Sequence, residues 1–285
     1  MRVPFISHSV KTKLKGQAKS LRQRYVRFAH GYDRQGLESL LRRVGIVAGD
    51  VILVHSSYDS FEGFRGKATD IILALQAVVG SQGTILMPTI PFSGSALEYV
   101  KGVKEFDVER TPSHMGLISE IFRRTPGVLR SIHPTHSVAG WGAHANGLLH
   151  DHHQAETPCG QRSPYARLKE YGGKILLLGT GIESMTFFHS LEEELESVMP
   201  FSPFTRETYS LRSRDRSGLV LETRTRLFDP LVSRRRNLPK LVPLLKERGV
   251  WREAHVGHLQ SILLTARDVA DCCWLLAKEG VFLYD

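Results

Sequence analysis

From residue 36 onward the chain alternates short apolar runs with segments of helical periodicity, and this alternation limits the fold more than any other feature. Leu37–Val44 reads as a helix stopped at Gly45, and Val51–Val54 as a buried strand. Thr69–Val79 is the next helix, closed by Gly80, and Thr84–Met87 the next strand. The pattern then predicts a helix over Met115–Arg124, an extended stretch over Val128–Val138, a short helix over Ser163–Tyr171 and a strand over Lys174–Leu178. Thr186–Glu196, Leu238–Arg248 and Thr265–Lys278 predict further helices, and Val281–Tyr284 a closing strand. Strands that are apolar throughout need cover on both faces. The expected fold is therefore α/β: one domain with a mixed central β-sheet flanked by helices on both faces. Its antiparallel part is assigned to a hairpin turning at Arg214–Gly218.

Composition excludes several classes. No stretch approaches the eighteen or so unbroken apolar residues of a membrane span, and Met1–Lys11 does not read as a signal peptide. Cys159, Cys272 and Cys273 are an odd number with two adjacent, which points to packed thiols and a cytoplasmic location. The formal net charge of +9 is uneven. Residues 1–30 hold eight Lys or Arg and no acid, with Val10, Leu14, Ala18, Leu21, Tyr25 and Phe28 on one helical face. This arm, expected to precede a catalytic domain over 31–285, either packs on that domain or meets an anionic membrane surface or a second copy. It lacks the aromatic interleaving of single-strand binders, so no nucleic-acid partner is expected. Residues 206–253 carry a second excess of thirteen bases over six acids.

Three places carry candidate chemistry. His55, Ser56 and Ser57 follow a buried strand directly, where ligands of α/β sheets collect. His133, His136, His144, His150, His152 and His153 crowd one stretch and raise a metal-dependent hydrolase as an alternative. Asp151 is the one carboxylate among them and no Cys pair completes a zinc set, so structural or exposed roles are expected for most. The strongest local feature is Thr186, His189 and Glu192, whose three-residue steps line one side of a helix that follows the glycine turn Leu178–Gly181. Thr186 is expected at the N-cap, and His189 near the helix start suits a general base.

Several segments in order resemble the aminoglycoside 3-N-acetyltransferase family. They are Leu53–Ser57, Gly83–Pro88, His114–Gly116, Pro126–Ser131, His133–Val138, Trp141-Gly142, Ser163–Leu168, Gly173–Gly179 and Thr186-x-x-His189-x-x-Glu192. The resemblance covers about residues 36–195, with a weaker continuation. It implies acetyl-CoA as co-substrate, a small-molecule amine as acceptor, and no metal. It implies His189 as catalytic base and Thr186 as its hydroxyl partner, with His55, Ser56 and Ser57 near the pantetheine. Met115, Gly116 and Ser137 are implied on the cofactor side, and Glu192 is assigned to the acceptor. An acidic residue further on is implied to orient the His; Glu222 is assigned, with Asp229 competing. The expected reaction is direct attack of an amine of an aminoglycoside or related amino sugar on the thioester. The basic 206–253 segment, if it reaches the site, would instead favour an anionic, nucleotide- or phosphate-linked amino sugar.

Overall fold

The computed structural model describes residues 29–285 of the chain. The arm expected over residues 1–30 lies, but for its last two residues, outside that range. The strands are β1 (Val51–Ser56), β2 (Thr84–Pro88), β3 (Phe106–Asp107), β4 (Leu129–Arg130), β5 (Val138–Gly142), β6 (Lys174–Leu178), β7 (Phe204–Arg214), β8 (Val220–Phe228), β9 (Arg252–Val256) and β10 (Leu259–Thr265). Seven of them form the central sheet in the order β4-β5-β2-β1-β6-β10-β9. Its middle is parallel, with Leu53 of β1 opposite both Leu86 of β2 and Ile175 of β6. Both flanks are antiparallel: β5 against β2 on one side, and β10 against β6 on the other.

The expected α/β architecture with a mixed sheet is present, but its antiparallel part is built from other residues than expected. The β7–β8 hairpin does not join the central sheet; it forms a second, three-stranded sheet with β3. Val281–Tyr284 is not a strand of either sheet. The place beside β6 belongs to β10, whose Ile262, Leu263 and Leu264 supply the two-sided apolarity a central strand needs. Val128–Val138 splits into the ends of two paired strands, with Leu129 opposite Gly140.

The pleat sends successive residues to opposite faces. Val51 and Leu53 of β1, Ile175 and Leu177 of β6, and Ile262 and Leu264 of β10 enter one core. Ile52, Val54, Leu176, Leu178 and Leu263 enter the other. Helices Arg34–Val44, Ala68–Val79 and Leu117–Arg123 cover the second face, and helices Phe188–Leu195, Val242–Glu247 and Ala266–Lys278 cover the first. Asp33 caps the first of these helices by accepting from Gly36 N, and Gly45, in the left-handed region, ends it. Thr265 likewise accepts from Asp268 N at the start of the last helix. Gly179 ends β6 at φ 70°, and a Cβ there would stand 2.6 Å from Ser60 Cβ. Only glycine lets the chain turn away over β1 at that point.

Candidate active site

The carboxyl ends of the parallel strands β1, β2 and β6 lie side by side, and the segments that follow β2 and β6 line a cleft of about 620 Å³. One wall comes from the loop after β2 (Ile90–Ala96) and Glu98, with His114 and Met115 beside it. His136 precedes β5, and the opposite wall carries Glu183, Thr186, His189, Phe228, Arg234 and Arg236.

His189 stands in the first turn of the Phe188–Leu195 helix. One turn on, Glu192 is fully buried, and its Oε2 accepts from His189 Nδ1 at 2.7 Å. The other oxygen, Oε1, accepts from Arg236 Nε at 2.7 Å and from the Tyr284 hydroxyl. With Nδ1 committed, Nε2 is the ring nitrogen that a molecule in the cleft would meet. The ring is held by Phe228 at 4.9 Å between centroids and by His136 at 6.1 Å. Arg236 in turn lies 4.9 Å over the Phe228 ring.

The electrostatics favour an uncharged His189 ring beside an ionised Glu192. Burial and the Arg236 charge pull the His189 pKa below its ordinary value, against the opposing pull of Glu192. Burial alone would raise Glu192, but Arg236 and the hydrogen bond from His189 outweigh it and hold the carboxyl ionised. His136, buried beside the cleft, is pushed well down by desolvation and by His189. An uncharged imidazole, oriented by a buried carboxylate, is thus the resting state at neutral pH.

The other expected site residues divide. Thr186 lines the cleft but does not cap the helix: Phe187 is the N-cap residue, and the Thr186 carbonyl accepts from His189 N at 3.1 Å. Its hydroxyl is buried beside the Tyr165 hydroxyl, and neither makes a hydrogen bond of good geometry to any other described group. His55, at the end of β1, is buried near His189; burial and that neighbour pull its pKa down to about 3, and its Nε2 has no partner. Ser56 and Ser57 are half-buried beside it, and Gly116 stands against Ser56, whose carbonyl lies 4.0 Å from where a Gly116 Cβ would be. Met115 lines the cleft.

Ser137 does not. It is fully buried, its Oγ donating to Thr89 O and accepting from Arg130 Nε. Glu222 also requires correction. It is exposed on β8, where it accepts from the Ser210 hydroxyl, and the carboxylate on His189 is Glu192. Asp229 accepts instead from Leu231 N and Val232 N as a helix cap. Glu192, for its part, is closed off from the cleft behind His189 and Arg236, so it does not face an acceptor. Arg236 and Tyr284, missed in the sequence, are its other partners. The i, i+3 spacing of His189 and Glu192 was the one available signal for the pair.

His133, His136 and His152 of the histidine-rich stretch pack together in the interior, with His133 stacked on His152 at 4.5 Å. His152 spends both ring nitrogens, on Ser131 Oγ and Pro158 O, and His133 Nδ1 accepts from His136 N at 3.1 Å. Among the described residues no three His, Cys, Asp or Glu side chains gather as a metal set. Cys159 is buried, and desolvation with nearby Glu193 pushes its thiol well above the ordinary range, which disfavours a thiolate nucleophile. Among the described residues no helix is long and apolar enough to cross a membrane.

A histidine hydrogen-bonded to a buried carboxylate thus lines a cleft at the carboxyl edge of a doubly covered sheet, where ligands of α/β folds bind. Comparison with known proteins gives the class. The sequence profile of the aminoglycoside 3-N-acetyltransferase family matches residues 53–275, and the chain belongs to that family. It is 28% identical over 271 residues to aminoglycoside N(3)-acetyltransferase VII of Streptomyces paromomycinus, covering 84% of this chain and 90% of the relative. Over 175 residues it is 34% identical to the aminoglycoside N(3')-acetyltransferase-like protein YokD of Bacillus subtilis, covering 56% of this chain and 64% of that protein. Among solved structures, aminoglycoside acetyltransferase AAC(3)-Xa superposes with a TM-score of 0.74 at 26% identity, covering 89% and 95% of the two chains. AAC-VIa bound to sisomicin gives 0.70 at 26%, covering 87% and 98%. AAC-IIIb in a binary complex with CoASH gives 0.69 at 24%, covering 87% and 97%.

Proposed function

We propose that this enzyme transfers an acetyl group from acetyl-CoA to an amine of an aminoglycoside, with His189 as general base. The observation that carries the reading is the His189–Glu192 pair, which leaves one uncharged ring nitrogen toward the cleft. Relatives that act on aminoglycosides, and one solved with sisomicin, support the acceptor class. The donor set fits a thioester. Beside the base, the cleft holds a buried hydroxyl, Thr186 Oγ1, which lies next to the Tyr165 hydroxyl and suits the oxygen on which charge develops during acyl transfer.

In this mechanism an amine attacks the thioester carbonyl and its proton passes to His189 Nε2. The imidazolium that forms is stabilised by Glu192, already ionised and fixed behind the ring. Collapse of the tetrahedral intermediate expels the CoA thiolate, which takes up the proton held by His189. Bond and proton balance close without a covalent enzyme intermediate. His55, Ser56, Ser57 and Met115, grouped at the end of β1 and on the adjoining wall, are assigned to acetyl-CoA.

The test is thiol release from acetyl-CoA against a panel of 2-deoxystreptamine aminoglycosides, nucleotide-linked amino sugars and simple amines. Turnover is expected with the aminoglycosides. Release with none of the amines would overturn the reading, and release confined to nucleotide-linked sugars would replace the acceptor class.

A further inference from the structure

We propose that Tyr284 is a positioning residue of this site, acting through Glu192 on His189, and that the segment 283–285 is therefore part of the catalytic apparatus. The inference rests on the reading of His189 as the base.

Glu192 Oε1 receives two donors, and they come from one structural unit. Arg236 and Tyr284 are directly opposed across an isolated antiparallel bridge. That bridge is extended by Asn237 N donating to Leu283 O at 2.8 Å and by Asp285 N donating to Arg235 O at 2.7 Å. Side chains fasten the same short ribbon. Asn237 Nδ2 donates to both Asp285 carboxylate oxygens, Lys240 pairs with Asp285 at 2.7 Å, and Lys240 Nζ also donates to Tyr284 O. Two residues lying 44 and 92 positions from Glu192 are thus delivered together to a single carboxylate oxygen.

The Tyr284 ring has little freedom. It is buried, edge-on to Phe201 at 5.0 Å and tilted against Phe188 at 6.3 Å. Phe188 adjoins His189 in sequence, so the ring packs on the same helix turn that its hydroxyl serves. Burial and the neighbouring Glu192 charge push the phenol far up, so the hydroxyl stays a donor throughout the working range. A charge-assisted hydrogen bond of this kind fixes a carboxylate rotamer more firmly than one donor alone. It also draws electron density from the carboxylate and makes it a weaker acceptor toward the imidazole. The charged or titratable groups facing His189 are Glu192 on its own helix, Arg236 on the ribbon, His136 before β5 and His55 at the end of β1. Removing the Tyr284 hydroxyl leaves all of these groups in place; it changes how tightly Glu192 is held and how strongly it accepts from the imidazole.

The test is Tyr284→Phe, which keeps the ring and deletes the hydroxyl, read in two ways. The His189 imidazole is titrated by NMR in the absence of substrate, and the pH profile of kcat/KM is measured where turnover is available. The expected results are an upward move of the His189 pKa by roughly half a unit, about threefold in proton affinity, and a kcat lower by roughly tenfold. Glu222→Gln, on the far hairpin, serves as the control and leaves both unchanged. An unmoved imidazole titration together with kcat within twofold of wild type would overturn the role of Tyr284. Because the titration needs no turnover, it still decides the matter if wild-type enzyme releases no thiol, an outcome that would count against the proposed function alone.

Discussion

His189 and Glu192 lie one turn apart on a single helix, and a 2.7 Å hydrogen bond joins them into one unit at the wall of the cleft. Because both residues sit on one rigid element, their backbone spacing is fixed locally, but the geometry of the bond is not. It depends on the rotamer of Glu192, which Arg236 and Tyr284 hold from the other side.

Replacing His189 with Ala or Asn is expected to leave the fold intact and lower kcat by roughly a hundredfold or more, the usual range for a general base. Circular dichroism and a CoA-binding titration check the fold, and thiol release checks the rate. Activity within a few-fold of wild type would remove His189 from the mechanism.

Glu192→Gln separates the present assignment from the sequence expectation. The substitution leaves the Arg236 guanidinium, with its own Nη2 already buried and unpartnered, facing a neutral amide. Breaking a buried charge pair in this way costs about 3–5 kcal/mol of stability, and loss of the imidazolium's counter-charge costs kcat roughly a hundredfold or more. Glu222→Gln, at an exposed position, is expected within about 0.5 kcal/mol of wild type by denaturant unfolding. If the two variants exchanged these outcomes, the hairpin carboxylate would be the orienting one after all.

The two faces of the sheet were legible because Val51–Val54 and Ile175–Leu178 are apolar at consecutive positions, which only a doubly covered strand requires. The edge was not. Arg252–Val256 is half polar, as an edge strand is, and carries no period of its own. Val281–Tyr284 is as apolar as β10, and a run of four residues does not tell a sheet strand from a packed segment. In the site, helical spacing joined Thr186, His189 and Glu192. Nothing local could reveal that Ser137 faces inward to Arg130, or that Arg236 and Tyr284 converge on Glu192, since those contacts depend on tertiary packing.

Acid is expected to unfold this protein steeply. His55, His133, His136, His152 and His189 are all held below their ordinary pKa, burial being the leading cause in each. In the unfolded chain each returns to about 6.5 and binds a proton the folded state refuses. The stability they lend is fully present above about 6.5 and is lost as pH falls toward the folded values. Glu193, pushed up to about 7 by burial, has the opposite sign and offsets one of the five. The net of about four protons corresponds to roughly 5 kcal/mol per pH unit once all are in the window, against a total stability of about 5–15 kcal/mol. Denaturant melts at pH 7, 6 and 5 should show the midpoint dropping sharply between the last two. A flat profile would mean that these rings protonate freely in the folded state.

Salt dependence tests which acceptor charge the cleft prefers. The basic excess over residues 206–253 points to an anionic acceptor only if it reaches the cleft, and eleven of its thirteen bases do not line it; five of those eleven are ion-paired. Arg212 and Arg214 face Glu105, Arg216 faces Glu109, Arg226 faces Glu196 and Lys240 faces Asp285. From that segment only Arg234 and Arg236 line the cleft, and Arg236 is neutralised by Glu192. Glu98 and Glu183, both exposed, face the remaining Arg234, so carboxylates outnumber free guanidinium groups there. Complementary charge should therefore draw a polycationic acceptor and repel an anionic one. At about 0.1 M salt the screening length is about 10 Å, so raising ionic strength across that range should raise KM for an aminoglycoside several-fold. Glu183→Gln and Glu98→Gln should each raise KM at low salt with kcat little changed, and the double variant should flatten the salt response. A KM that falls as salt rises would reverse the sign of the cleft and restore the phosphate-linked acceptor.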